Sequence, residues 1–253
     1  MPSVYFGGEQ TDGGATWNAN LDSSSNNFEI GDVARLRLAV ENTGLSITDQ
    51  EFRIEFAPKG VAVSCESVAA AAYNPVPVNA SCGSAAMCMS TSSNFSDGDS
   101  ISDLLTDTEG TFVSGEATED PTNTADQLDI DQNEYTELEY AITATVNAVD
   151  SAYCLRVTDD GAELDAYASV AEFTLQYPPS LGAVSFNNGQ DISLVGGTTT
   201  QVHATATVTD LNGYADLQFA TSTMYTTSAT VACADNDNNC YIETIGSNCS
   251  FNH

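Results

Sequence analysis

Apolar and polar side chains alternate with a period of two along several short stretches of the chain, which is typical of β-strands. In residues 51–56, Phe52, Ile54 and Phe56 alternate with charged side chains. The same pattern predicts strands at 33–40, 135–146, 153–157, 170–175, 183–186, 192–195, 201–208 and 217–225, and a further strand that begins with Val61 and Val63. Sustained helical periodicity does not occur, so the sequence predicts an all-β fold.

The alternation also assigns each side chain to one face of its strand. Leu36 and Leu38 share the inward face of their strand, while Arg35 and Arg37 lie on the other face. The remaining charged residues that we expect to face outward are Glu51, Arg53, Glu55, Glu137 and Glu139. Short strands separated by Gly, Asn and Asp turns indicate antiparallel β-sandwich domains of the Ig-like kind.

Two tandem domains are expected, because the prolines of residues 177–180 cannot continue a β-ladder and form a short, stiff connector. The first domain covers residues 1–176 and includes an acidic surface loop at 93–126, with one short helical turn around Ile101, Leu104 and Leu105. The second covers 181–253. It is shorter than the roughly 100 residues of an Ig-like sandwich, so we expect it to be truncated and the natural chain to continue beyond His253.

The net charge of the chain limits the kinds of partner that it can bind. The chain has 36 Asp and Glu against five Lys and Arg, which gives a net charge of -31. Such a surface repels phosphate backbones and anionic lipids, so we expect no binding to nucleic acids or to membrane surfaces. The sequence also has no stretch of about 18 apolar residues, so we expect no membrane insertion. High ionic strength or bound divalent cations would relieve the repulsion. Charged residues make up only 16% of the chain, which favours a secreted or cell-surface protein over a salt-adapted one.

Two oxygen-rich turns in the second domain are candidate calcium sites. Asp210, Asn212 and Asp216 surround Gly213, and carboxylate and amide oxygens are the ligands that calcium prefers. The second turn carries Asp235, Asp237 and Asn239. Bare β-turns are the alternative for both, since Asp, Asn and Gly favour turns without a metal. Bare turns are the preferred interpretation of two similar stretches, at 129–134 and 159–165.

Seven cysteines without a C-x-x-C pair point to disulfides in an oxidising compartment. Cys82 and Cys88 are spaced to close a small loop, and a bond from Cys233 to Cys240 would brace the second acidic turn. Cys249 then needs a partner beyond His253 or in another chain. Asn79, Asn94 and Asn248 each begin a sequon that permits glycosylation.

Catalytic signals are absent from the sequence. His203 lies within a predicted strand on its outward face, and His253 is terminal. No nucleophile elbow accompanies them, and pairs of carboxylates arise by chance among so many acids. We therefore predict that the protein is not an enzyme.

An ordered set of segments resembles a β-sandwich repeat of very large secreted surface proteins from ultrasmall, uncultivated bacteria. The set comprises residues 52–59, Cys65, 135–140, 153–157 and 161–165, and residues 181–243 resemble an Ig-like module that follows such repeats. The resemblance implies an extracellular, multidomain protein and a disulfide from Cys65 to Cys154.

Together these features predict a structural module of an extracellular filament, surface layer or stalk, stabilised by calcium and locked by disulfides. Self-association or neighbouring surface-protein modules would be its partners. An adhesin or glycan-binding module is the alternative, with ligand contacts on loops such as residues 93–126.

Overall fold

The computed structural model describes residues 4–7, 23–105, 109–149, 152–193, 196–198, 201–211, 221–225 and 240–244. Within these ranges the regular elements are β-strands and short 3-10 turns, so the prediction of an all-β fold is confirmed. The chain divides into two compact units, Met1–Tyr177 and Pro178–His253. The division falls within the predicted linker of residues 177–180.

The strands of the first unit are β1 (Val4–Gly7), β2 (Ser25–Glu29), β3 (Val33–Asn42), β4 (Ile47–Gln50), β5 (Phe52–Pro58), β6 (Asn74–Pro75), β7 (Met87–Met89), β8 (Asp99–Ser100), β9 (Thr111–Val113), β10 (Glu116–Thr118), β11 (Leu128–Ile130), β12 (Glu134–Ala144), β13 (Ala152–Asp159) and β14 (Ala171–Gln176). Those of the second unit are β15 (Ser180–Phe186), β16 (Ala204–Thr209), β17 (Thr221–Tyr225) and β18 (Cys240–Thr244). The 3-10 turns are Cys65–Ser67, Ala70–Ala72, Asn79–Ser81 and Asn187–Gly189.

Two larger sheets make up most of the first unit. One has the strand order β1-β3-β12-β10-β8, with β7 and β9 also paired to β12, and the other has the order β2-β14-β13-β5-β6. A small third sheet pairs β4 with β11. The sheets are mixed rather than purely antiparallel, because β9 and β10 run parallel to β12 and β14 runs parallel to β2.

The two larger sheets contribute to one hydrophobic core. Leu36 and Leu38 of β3 pair with Tyr140 and Leu138 of β12, and all four side chains are buried. The second sheet adds the inward residues of β5 and β13, which include Ile54 and Leu155. The Tyr140 hydroxyl donates to the backbone carbonyl of Phe52 at 2.8 Å and thereby links the two sheets.

Three local predictions were wrong. Val61 and Val63 are highly exposed and precede a 3-10 turn instead of forming a strand. Of the predicted strand at 192–195, residues 192 and 193 form no strand, and residues 194 and 195 lie outside the described residues. Residues 93–126 are more than a surface loop, because they contain β8, β9 and β10, and Ile101 and Leu105 are buried. Residues 101–105 form no helical turn, and residues 106–108 lie outside the described residues. The acidic composition gave no sign of these strands, in which Ala117 is buried while Phe112 and Val113 are half-buried.

Among the described residues of the second unit, β15 pairs with β16 and β17 pairs with β18, each as an antiparallel two-stranded ribbon. Leu181, Val184 and Phe186 of β15 are exposed. The Ig-like topology of this unit and the truncation at its end stay predictions.

Candidate functional site

Four charged side chains on β3 and β12 are buried, although the sequence placed them on a solvent face. Arg35, Arg37, Glu137 and Glu139 are each 0–1% exposed. They do point away from the hydrophobic core, as their alternation with Leu36, Leu38 and Leu138 requires. The expectation was wrong because this second face of the sheet is itself covered by another part of the chain.

These side chains form one chain of ion pairs across the two neighbouring strands. Arg37 Nη1 lies 2.9 Å from Glu137 Oε2, and Arg37 Nη2 lies 2.8 Å from Glu139 Oε2. Arg35 pairs with the other oxygen of Glu139. Charges taken out of water at this depth are stable only when paired and hydrogen-bonded. All four side chains are paired here, although Arg35 Nη1 has no hydrogen-bond partner among the described residues.

The segment that covers this face belongs to residues 93–126, which the sequence predicted to be an acidic surface loop. The amides of Leu104 and Leu105 donate to Glu137 Oε1 at 3.0 and 2.7 Å, and Arg37 Nη1 donates to the carbonyl of Ser102 at 2.9 Å. Burial raises the pKa of Glu137, while the two amides and Arg37 oppose that rise. The segment is therefore fixed to the sheet by backbone groups that satisfy buried charges.

The next part of this covering segment passes very close to the backbone of β12. A Cβ atom on Gly115 would lie 1.9 Å from the carbonyl oxygen of Glu137. Only glycine lets the chain pass this close to β12, and the short parallel strand β10 begins at the following residue.

The three remaining basic residues are also paired with carboxylates. Arg53 Nη1 lies 2.7 Å from Asp160 Oδ1, and Lys59 Nζ lies 2.8 Å from Glu172 Oε1. Arg156 Nη2 lies 3.0 Å from Glu55 Oε2, and both of these side chains are buried. Every Lys and Arg of the protein is thus paired with a carboxylate within the first unit, and the sequence of the second unit contains no Lys or Arg.

Arg156 also lines a cleft of about 350 Å³. Its guanidinium carbon lies 4.0 Å from the ring centre of Tyr73 and 5.8 Å from that of Tyr167. Burial raises the pKa of Tyr73 to about 12, against an opposing effect of Arg156. Glu66 and Glu163 line the same cleft and are exposed.

The cleft was missed at the level of sequence. Tyr73 lies 83 residues before Arg156, and Tyr167 follows Arg156 across a turn, so no motif spacing joins the three residues. The sequence marked Arg156 only as one of five basic residues and gave no signal for the two tyrosines.

Two of the three expected disulfides are present. Cys65 bonds to Cys154, which lies 89 residues further along the chain, and Cys82 bonds to Cys88. Cys154 is fully buried beside the core residues Tyr153 and Leu155 but on the opposite strand face. The proposed bond from Cys233 to Cys240 involves Cys233, which lies outside the described residues, as does Cys249.

The calcium prediction falls mostly outside the described part of the chain. Asp210 is described, and it directly follows β16. Asn212, Asp216, Asp235, Asp237 and Asn239 are not described. Among the described residues, no group of three or more His, Cys, Asp or Glu is arranged to hold a metal ion. Calcium binding therefore stays a prediction.

The glycosylation sequons differ in exposure. Asn79 is exposed in a 3-10 turn, whereas Asn94 is half-buried, and its side-chain amide donates to Ser93 Oγ at 3.3 Å. Asn248 lies outside the described residues. The exposed Asn79 is the more accessible acceptor of the two.

The two histidines do not form a described site. His203 is exposed immediately before β16, and His253 lies outside the described residues. The absence of enzymatic activity stays a prediction. In the part of the chain that the structure describes, no helix is long and apolar enough to cross a membrane.

Comparison with known proteins identifies no relative. No family model, no curated protein and no solved structure matches the chain. The resemblance to surface-protein repeats of ultrasmall bacteria therefore stays a hypothesis.

Proposed function

We propose that this protein is a non-enzymatic structural module of an extracellular assembly such as a filament, surface layer or stalk. The observation that carries the proposal is the placement of its charges. All five basic side chains pair with carboxylates inside the first unit. The exterior is left strongly anionic, and neighbouring copies need cations between them before they can pack.

Divalent cations supply that neutralisation better than monovalent salt does, because one ion can bind carboxylates of two surfaces at once. Calcium is the ion of choice, since its coordination by six to eight oxygens tolerates irregular surface sites. The predicted turns at Asp210 and Asp235 would add specific sites. The two disulfides suit an oxidising, extracellular environment, in which such bonds persist.

Sedimentation velocity tests this function. The purified chain is compared in calcium and in EGTA at matched ionic strength, with magnesium as a second divalent ion. We expect large species in calcium and monomers in EGTA. A monomer in both conditions contradicts calcium-driven assembly, and equal association in sodium chloride of the same ionic strength shows that simple screening is sufficient.

An adhesin or glycan-binding module is the second candidate. The cleft between Tyr73 and Tyr167 favours it, because partly accessible aromatic rings beside carboxylates provide both stacking surfaces and hydrogen-bond acceptors. Residues 93–126, predicted to carry ligand contacts, also supply the backbone groups of Ser102, Leu104 and Leu105 that bind the buried ion pairs. A signal from the monomer on a glycan array would support this candidate.

A further inference from the structure

We propose that the cleft between Tyr73 and Tyr167 binds a neutral sugar residue. Its volume of about 350 Å³ lies at the small end of the range of ligand pockets, roughly 300–1,000 Å³. A pocket of this size holds one sugar ring and the beginning of the next. The inference deepens the second candidate function and is independent of calcium-driven assembly.

The walls of the cleft are suited to the apolar face of a sugar ring. Tyr73 and Tyr167 are both half-buried, so part of each ring remains accessible from the cleft. Val68, Leu164 and Val170 add aliphatic surface between them. The faces of aromatic rings are electron-rich, and they attract the C–H bonds that a sugar ring presents on its less polar side.

The rim provides acceptors for sugar hydroxyl groups. Glu163 is bound through Oε1 by Arg156, and its side chain is still 51% exposed. The amide of Val170 donates to Glu66 Oε1 at 3.3 Å. A carboxylate has about four acceptor positions, so each of these oriented side chains can accept further hydrogen bonds. Hydroxyl donors bound to carboxylates form the stronger, charge-assisted kind.

Charge in the cleft selects against ionic ligands. Glu66, Glu163 and Asp165 line it and repel carboxylate, sulfate and phosphate groups. The guanidinium of Arg156 lies against Tyr73, with its carbon 4.0 Å from the ring centre, so it covers one face of that ring and repels a second cation by its own charge. The sugar is left the uncovered part of Tyr73 and the ring of Tyr167, and a neutral polyhydroxylated ligand is the class that fits.

The cleft is preorganised. The Tyr167 hydroxyl donates to the carbonyl of Val157 at 2.8 Å, and the Tyr73 hydroxyl donates to that of Cys65 at 3.4 Å. The bond from Cys65 to Cys154 fixes this wall to β13. Binding then loses little side-chain entropy, which matters for a ligand with so few atoms.

Saturation-transfer difference NMR on the full chain tests the proposal. The probes are the methyl glycosides of glucose, galactose, mannose and N-acetylglucosamine, with lysine methyl ester as a cation and methyl glucuronide as an anion. Ala166 lines the cleft and is exposed, so Ala166→Trp fills it. Ala168 is exposed two residues away and outside the lining, so Ala168→Trp is the matched control.

We expect at least one neutral glycoside to bind, with affinity at least tenfold weaker in Ala166→Trp and unchanged in Ala168→Trp. Glu66→Gln alters an exposed side chain and should weaken binding severalfold. This variant replaces Ala166→Trp as the test of the cleft if the tryptophan changes the near-ultraviolet circular dichroism spectrum and thus the fold. The proposal is overturned if no neutral glycoside binds, if either ionic probe binds more tightly, or if the cleft variants bind like the unmodified chain. Sedimentation in calcium does not enter these outcomes.

Discussion

Arg37 and Glu137 form an ion pair with 2.9 Å between Nη1 and Oε2, and neither side chain is exposed to solvent. The pair joins two neighbouring strands and also anchors the segment that covers them, since Glu137 accepts the amides of Leu104 and Leu105. A polar sheet face is thereby converted into a second buried layer. The acidic segment is consequently part of the folded structure of the first unit.

Glu137→Ala should lower the free energy of unfolding by about 3–5 kcal/mol, because the change leaves the charge of Arg37 buried with one partner fewer. Urea denaturation monitored by fluorescence measures it. The control is Asp160→Asn, which weakens the more exposed pair with Arg53 and should cost less than about 1 kcal/mol. Equal losses in the two variants would contradict the structural role given to the buried pair.

Gly115→Ala should release the covering segment from β12. Its Cβ would lie 1.9 Å from the Glu137 carbonyl oxygen, and overpacking of this kind costs about 1–3 kcal/mol. Hydrogen exchange of the Leu104 and Leu105 amides reports the release directly. Gly44→Ala is the control, because its nearest contact would be an ordinary 3.4 Å to Asn42 Oδ1. Unchanged protection in Gly115→Ala would show that the segment is seated in another way.

The two disulfides should differ in their contribution to stability. Cys65 and Cys154 are separated by 89 residues, while Cys82 and Cys88 are separated by six. The loop-entropy relation gives about 4–5 kcal/mol for the long loop and about 2 kcal/mol for the short one. Thermal unfolding of the two double alanine variants measures the difference. A larger loss from the short loop would show that entropy of the unfolded chain does not set the order.

Stability should fall at alkaline pH through Tyr73. Burial raises the pKa of its hydroxyl from 10.0 to about 12, against an opposing effect of Arg156. Between these values the unfolded chain has lost the proton and the folded chain retains it. The free energy of unfolding therefore decreases as the pH rises from about 10 to about 12.

Tyr73→Phe removes this group. Its absorbance titration at 295 nm should lack one phenol that ionises near pH 12 in the unmodified chain, and the phenols that ionise near pH 10 should be unchanged. Loss of a phenol that titrates near pH 10 would mean that Tyr73 is solvated.

Calcium should raise the melting temperature of the chain through the predicted turn at residues 210–216. Asp210→Asn combined with Asp216→Asn should abolish the increase, since it removes two anionic ligands. Asp191→Asn, which removes an exposed carboxylate elsewhere in the second unit, is the control. If calcium stabilises all three proteins equally, screening of the acidic surface accounts for its effect.

The alternation of apolar and polar side chains along the sequence was sufficient to predict the main strands. β5 and β12 follow the pattern closely, because a side chain in a strand alternates between faces whatever lies beyond them. The cysteine spacing and the resemblance together also gave the two disulfides that the structure describes. The composition showed that the chain is acidic, but it did not show where the basic side chains lie in the structure.

The tertiary structure decided which faces of the strands are exposed to solvent. The outward position of Arg35 and Glu139 on their strands was predictable, but their burial depends on a segment that starts dozens of residues away and pairs in parallel with β12. The cleft has the same origin, since Tyr73 and Tyr167 meet Arg156 only after the strands align. Local periodicity reports the direction of a side chain, whereas burial depends on long-range packing that a single sequence does not encode in its spacing.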